Sequence, residues 1–275
     1  MNPITLVNGV LQGQLSVFDR AVQYGDGVFR TFAYRGSLID WDLHDAKLRS
    51  DAQRLRIAAP PKAQWEADIA TALSVWDAPT AAIKLVLSRG ESARGYLQPQ
   101  GMPPTRIVYI SELSHYPEDW RQHGITLFDC KTPCALQPAL AGVKHLNRLE
   151  NVLARLEWQD NPAYQEGLMY NSQGFLISGV MSNVFMRQGA RIFTPDLRLS
   201  GIAGVTRQKI IQYYAGQGVP VQEIDILPQQ FLQADEAWLC NSLMGVLPIK
   251  HYKGQNWSSF ISAQALHHLF RESSC

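Results

Sequence analysis

Apolar and polar positions change period several times along the chain, and each change predicts a new element. "ITLVNGVLQG" (4–13) alternates around the dipeptide Asn8-Gly9, which predicts a β-hairpin turning there. "GVFRTFAYRGSLI" (27–39) predicts a second strand pair turning near Arg35-Gly36. Over 42–57, Leu43, Ala46, Leu48, Ala52 and Leu55 form an imperfect helical stripe, and another helix is expected over about 62–76. Strands "AAIKLVLSRG" and "TRIVYISEL" follow. The segment "SHYPEDWRQHG" (114–124) is polar, holds Pro117 and lacks periodicity, so it is expected to be a linker.

Beyond it, "ITLFDCK" predicts a strand, and an irregular stretch leads to "AGVKHLNRLENVL" (141–153). Here Leu146, Leu149, Val152, Leu153 and Leu156 recur at helical spacing, which predicts a helix with Lys144, His145 and Arg148 in its opening turns. Short strands "EGLMYN", "GFLIS", "NVFMRQG" and "RIFTP" come next. A glycine turn, "SGIAGVTRQKI", starts a further helix, and strands near 219–224, 235–241 and 244–250 complete the pattern. The expectation is an α+β fold in two domains: a smaller N-terminal one over 1–113, a linker over 114–123, and a larger one with mainly antiparallel strands over 124–275.

Composition narrows the function classes. The 275 residues, 46% hydrophobic and 18% charged, can bury a substantial core. A net charge of +1 speaks against a polyanion-binding surface, so no nucleic acid partner is expected. No apolar run approaches the roughly 20 residues of a membrane-spanning helix, and "MNPITLVNGVLQG" does not read as a signal peptide. Cys130 and Cys134 are separated by three residues, but no second Cys/His pair completes a zinc site. Cys130, Cys134, Cys240 and Cys275 therefore read as reduced thiols of a cytoplasmic protein without a metal.

Three segments could carry chemistry. A lysine ordinarily snorkels into water, but Lys144 sits among other cations at a predicted helix start, which would favour the neutral, nucleophilic amine needed for Schiff-base chemistry. In "SGIAGVTRQKI", Gly201 and Gly204 permit close backbone approach, and the amides of Val205 and Thr206 would open a helix N-terminus, a ready phosphate site. In "LSRGESARGY", Arg89 and Arg94 follow a strand and could grip a carboxylate. Each segment also has an ordinary reading: a surface lysine, a glycine turn, a solvated loop.

Taken together and in order, these segments resemble the fold-type IV family of pyridoxal-phosphate enzymes, which includes branched-chain aminotransferases, D-amino-acid transaminases and aminodeoxychorismate lyases. The likeness runs through "DRAVQYGDGVF", "HDAKLRSDAQRL", "LSRGESARGY", "AGVKHLNRLENVL", "SNVF", "GIAGVTR" and "ADEAWLCNSLMGVLPI". Within the family, "KHLNRLENVLA", "SRGESARGY" and "CNSLMGVLPI" are most similar to the lyases, which convert 4-amino-4-deoxychorismate to 4-aminobenzoate and pyruvate on the way to folate. The resemblance implies pyridoxal 5′-phosphate as cofactor and Lys144 as the Schiff-base lysine. It implies phosphate contacts from Val205, Thr206 and Ser242. It also implies a proton-transfer role for Thr31, taken to share an inward-facing strand phase with Phe29 and Ala33. Phe29, Arg94, Tyr96 and Asn241 would lie on the substrate side, Arg94 and Tyr96 often across the subunit interface of a homodimer.

Two positions depart from the family pattern. Ser178 stands where a glutamate normally keeps the pyridine nitrogen protonated, and a hydroxyl cannot supply that charge. Lys47 stands where an arginine normally meets the phosphate, so a point charge replaces a planar fork. A lyase tolerates a weak electron sink better than a transaminase does. The competing expectations are a fold-type IV aminotransferase for D- or branched-chain amino acids, and a pyridoxal-phosphate-binding homologue without catalysis.

Overall fold

Asn8 and Gly9 both adopt positive φ (49° and 87°), as a tight hairpin turn between right-twisted strands demands. They join β1 (Ile4–Val7) to β2 (Val10–Leu11), with Val7 opposite Val10. The computed structural model describes residues 2–97 and 101–272. The chain divides into two compact units: Met1–Ser114 with Val143–Asn147, and His115–Gly142 with Arg148–Cys275.

The first unit continues with α1 (Arg20–Tyr24), β3 (Gly27–Arg35), α2 (Trp41–Arg54), α3 (Lys62–Leu73), β4 (Thr80–Ser88) and β5 (Thr105–Ser111). Its strands form one antiparallel sheet in the order β2-β1-β5-β4-β3. Val28 and Phe32 of β3, Ile83, Leu85 and Leu87 of β4, and Val108 and Ile110 of β5 share one face. They pack with Leu48 and Ala52 of α2 and with Trp65 and Ile69 of α3. The buried phase of β3 is therefore Val28, Arg30 and Phe32; Phe29 and Thr31 lie half-buried on the opposite face. This corrects the inward phase expected for Thr31 and Phe29. The pattern misled because the inward position 30 holds an arginine. Burying that charge unpaired would cost several kcal/mol, and Asp51 of α2 supplies the pair.

The second unit holds α4 (Glu118–His123), β6 (Ile125–Asp129), α5 (Leu149–Leu156), β7 (Glu166–Tyr170), β8 (Leu176–Gly179), β9 (Asn183–Gln188), β10 (Arg191–Pro195), α6 (Val205–Gly216), β11 (Gln222–Ile224), α7 (Pro228–Leu232), β12 (Glu236–Asn241), β13 (Gly245–Tyr252), β14 (Gln255–Asn256) and α8 (Ile261–Glu272). Its sheet runs β11-β10-β9-β12-β13-β6-β7-β8, antiparallel except at β10–β11, β13–β6 and β6–β7. Part of the segment expected to be a linker is helix α4, with Glu118 and Asp119 in its first turn and Arg121 and His123 in its last. That charge order suits the helix dipole. Polarity without an apolar stripe hid a helix this short.

The largest departure concerns Lys144. Helix α5 begins only at Leu149, and residues 143–147 are not helical. Phe29 N–H donates to the Lys144 carbonyl (3.0 Å), Leu146 N–H donates to the Gly27 carbonyl (2.9 Å), and Val28 pairs antiparallel with His145. The segment is thus an extended stretch beside β3, joined to it by an isolated bridge. Gly27 allows this approach, because a Cβ there would meet the Leu87 carbonyl oxygen at 2.6 Å and Leu146 Cδ1 at 2.8 Å. Strand hydrogen bonds to a distant part of the chain override the local helical spacing.

Candidate active site

In the first unit, β3 and the extended stretch at 143–147 bring Lys144 over the ring of Phe29, with Nζ 4.5 Å from the ring centroid. Lys84 Nζ stands 5.0 Å from the same centroid. Lys84 is the register partner of Thr31 and lies on the same half-buried face. Phe29, Thr31, Lys84 and Lys144 therefore share one patch with two ammonium groups, which suits an anionic ligand. Sequence reasoning did not single out Lys84. The available signal was one lysine at a pleat position of the otherwise apolar "AAIKLVLS".

Lys47 projects from α2 and donates to the buried Asp51 carboxylate, which Arg30 also engages. Burial, then the positive charges of Arg30, Arg54 and Lys144, lower Lys47 to about 7. Burial alone brings Arg30 down to about 9, so it remains a cation at neutral pH. Arg49 instead pairs with Asp45 (2.8 Å), one turn away on the same helix.

Arg89 and Arg94 have separate fates. Arg89 is tied to Asp26 and to the carbonyls of Leu55 and Arg56, a structural clamp after β4. Arg94 is exposed on the loop that follows. Arg20 anchors that loop through the carbonyls of Gly95 and Tyr96, and the Tyr96 ring is 86% exposed.

In the second unit, the turn before α6 is built as a cradle. The Gly142 N–H donates to the Gly201 carbonyl (2.9 Å), and the Ala203 N–H donates back to the Gly142 carbonyl (3.1 Å). Asn183 braces the same turn, accepting from Gly204 N–H (3.2 Å) and donating to the Ile202 carbonyl (2.8 Å). A Cβ on Gly204 would stand 2.4 Å from Asn183 Oδ1, so glycine is required there. Helix α6 has Gly204 as N-cap and no side-chain cap, which leaves its first N–H groups, at Val205 and Thr206, for an external acceptor. Asn183 was visible in sequence only as part of "SNVF", without a role.

Ser178 ends β8 nearly buried, hydrogen-bonded with the Cys134 thiol. Burial pushes that thiol up to about 12, so it is neutral at pH 7. Ser182, four residues on, has a buried hydroxyl without a partner. Glu166 is fully buried and accepts the Met181 N–H (2.9 Å); burial raises its carboxyl to about 7. Asn241 and Ser242 lie half-buried at the β12–β13 turn. The Asn241 side chain serves that turn, accepting from Leu243 and Met244 N–H (2.9 and 2.8 Å) and donating to the Met181 carbonyl (3.1 Å). Among the described residues no cluster of His, Cys, Asp and Glu could hold a metal ion, and no helix is long and apolar enough to cross a membrane.

Residues 27–252 match the amino-transferase class IV family. The chain belongs to that family. It is 38% identical over 247 residues to an aminodeoxychorismate lyase of Vibrio harveyi, covering 88% of this chain and 89% of the relative. A crystal structure of 4-amino-4-deoxychorismate lyase from Pseudomonas aeruginosa superposes with a TM-score of 0.92 at 37% identity, covering 98% of each chain. A D-alanine aminotransferase of Bacillus licheniformis is 25% identical, over 89% of this chain and 85% of that protein. The fold is therefore that of the class IV family, two-domain and α+β. Pyridoxal phosphate is the cofactor of the class IV enzymes, and the residues present fit it. An uncapped helix N-terminus behind a glycine turn suits the phosphate, the unpartnered Ser182 hydroxyl is a further polar contact, and Lys144 offers an amine.

Proposed function

We propose that this enzyme is a pyridoxal-phosphate-dependent lyase that converts 4-amino-4-deoxychorismate to 4-aminobenzoate and pyruvate, a step toward folate. The lyase relatives support the reaction class. The observation that carries the residue roles is the patch of Lys144, Thr31 and Lys84 around Phe29 in the first unit.

Val205, Thr206 and Ser242 hold the phosphate, with Lys47 as an added charge. Bound pyridoxal phosphate supplies an aldehyde that condenses with an amine and a ring that withdraws electrons from the attached carbon. Lys144 then acts as general base and takes the proton from the amine-bearing carbon of the substrate. Loss of that proton and of the enolpyruvyl group from the adjacent carbon makes the ring aromatic, which drives the step. The Thr31 hydroxyl relays a proton to the departing enolpyruvyl group, which leaves as pyruvate. Phe29, Arg94, Tyr96 and Asn241 line the substrate side. Ser178 offers the ring nitrogen a neutral hydroxyl rather than a carboxylate, which suits immediate elimination better than storage of electrons on the ring. That feature disfavours the aminotransferase reading, and the retained Lys144 and phosphate cradle disfavour a non-catalytic role.

The protein acts as a homodimer on this reading, and its described cysteines, all unpaired, suit the cytoplasm. Helix α5 supports the dimer: Leu149, Val152, Leu153 and Leu156 leave one side of it apolar and at least half exposed. The deciding experiment feeds enzymatically made aminodeoxychorismate to the purified holoenzyme and follows 4-aminobenzoate fluorescence. Equal yields of 4-aminobenzoate and pyruvate, abolished together with the visible cofactor band by Lys144→Ala, are expected. Bound cofactor without product would reject the lyase reading.

A further inference from the structure

The extended stretch at 143–147 lies beside β3, and its backbone groups alternate between facing β3 and facing away. The Lys144 carbonyl accepts from Phe29 on the β3 side. In a regular antiparallel pair the Lys144 N–H would face the Phe29 carbonyl. Here Asp51 Oδ2, from α2, accepts it at 3.1 Å. The same carboxylate receives the Arg30 guanidinium on Oδ2 and the Lys47 ammonium on Oδ1. Asp51, in the last turn of α2, is completely buried, where its charge is expensive to desolvate.

We infer that Asp51 is a positioning residue for the reaction: it fixes the backbone from which the Lys144 amine projects and ties Lys47 to the same carboxylate. An Arg30–Asp51 pair alone would compensate the two buried charges. The additional bonds to the Lys144 amide and to Lys47 join two cofactor-directed groups that lie far apart in sequence. Apolar residues of similar size commonly replace a buried ion pair without loss of stability, so packing does not require this cluster. Its consequence is a Lys144 main chain held at both polar groups, the carbonyl by Phe29 N–H and the N–H by Asp51. The inference rests on the reading of Lys144 as the Schiff-base lysine.

The test compares wild type with Arg30→Met/Asp51→Leu, which removes both buried charges and the acceptor, and with Arg30→Gln/Asp51→Asn, which keeps an oxygen toward the Lys144 amide. Hydrogen–deuterium exchange of the Lys144 amide is read in the cofactor-free proteins, and kcat and KM in the loaded ones. The Leu variant is expected to lose amide protection and to drop kcat roughly tenfold or more, as a misplaced reacting group does. Its KM should stay within about twofold. The Asn variant is expected to restore protection and most of kcat, yet to bind pyridoxal phosphate more weakly, because its neutral amide no longer holds Lys47. Wild-type exchange and kcat in the Leu variant would overturn the inference. If that variant does not fold, wild-type cofactor affinity in the Asn variant overturns it instead, and weakened affinity supports it. Borohydride reduction of wild type with pyridoxal phosphate, followed by peptide mapping, keeps the two readings apart. Label on a lysine other than Lys144 rejects the site itself, whatever the Asp51 variants do.

Discussion

Ser178 and Lys47 are single replacements whose effects differ in kind. Ser178 is nearly buried and bonded with a neutral thiol, so nothing at this residue supplies the negative charge that a glutamate would bring. If that charge limits electron storage, Ser178→Glu should raise conversion of the cofactor to its pyridoxamine form by amino acids, measured by the shift of its absorption band. An unchanged rate would mean that the serine is not the limiting feature. Lys47 acts through its own charge. Burial and the cations around it lower it to about 7 in the cofactor-free protein. It is cationic below that pH and loses its charge as pH rises through it, while the phosphate stays anionic. Affinity for pyridoxal phosphate should therefore fall as pH climbs above about 7, by at most about tenfold per pH unit for one coupled proton. Lys47→Arg keeps its charge and should flatten that fall. Equilibrium titrations of both proteins across the range decide it, and parallel profiles would remove Lys47 from the phosphate site.

At the scale of elements, the glycine turn before α6 and the extended segment at 143–147 were unequally legible. The helix start in "SGIAGVTRQKI" was legible from its glycines, with an ordinary turn as the other reading beside a phosphate site, and α6 begins at Val205. What could not be read was the brace. Asn183 lies 21 residues from Gly204, and only the folded sheet brings its amide to the turn. Gly204→Ala would place a methyl against Asn183 Oδ1 and force the turn open. Overpacking of this kind costs about 1–3 kcal/mol. Thermal unfolding should shift down by a few degrees, with cofactor affinity falling alongside. The segment at 143–147 was misread as helix for a related reason. Its leucine spacing is helical, but the apolar stripe belongs only to α5, from Leu149 onward. The hydrogen bonds that make Lys144 extended come from Gly27 and Phe29, more than a hundred residues away. Thr31 was misphased because the arginine beside it turns inward to a carboxylate that no local pattern announces.

For the whole molecule, the apolar side of α5 is an open surface, where Leu149 is 76% exposed. Burying about 100 Å² of such surface contributes roughly 2.5 kcal/mol, less than association costs in lost freedom, so a stable dimer buries far more than one leucine around this helix face. Leu153→Glu should convert the proposed homodimer to monomer in sedimentation or size-exclusion measurements, because a carboxylate placed in such a contact has no partner. A wild-type monomer would refute the assembly outright.

The sequence by itself determined the fold class and the family, since glycine, proline and strand-period patterns act locally and family motifs are short. Tertiary structure alone decided which face of β3 looks toward the core, that Lys144 is extended rather than helical, that Lys84 and Asp51 stand near it, and that Asn183 braces the turn before α6. Those placements depend on pairing buried charges and orphan backbone groups across distant segments, and such pairing has no period along the chain.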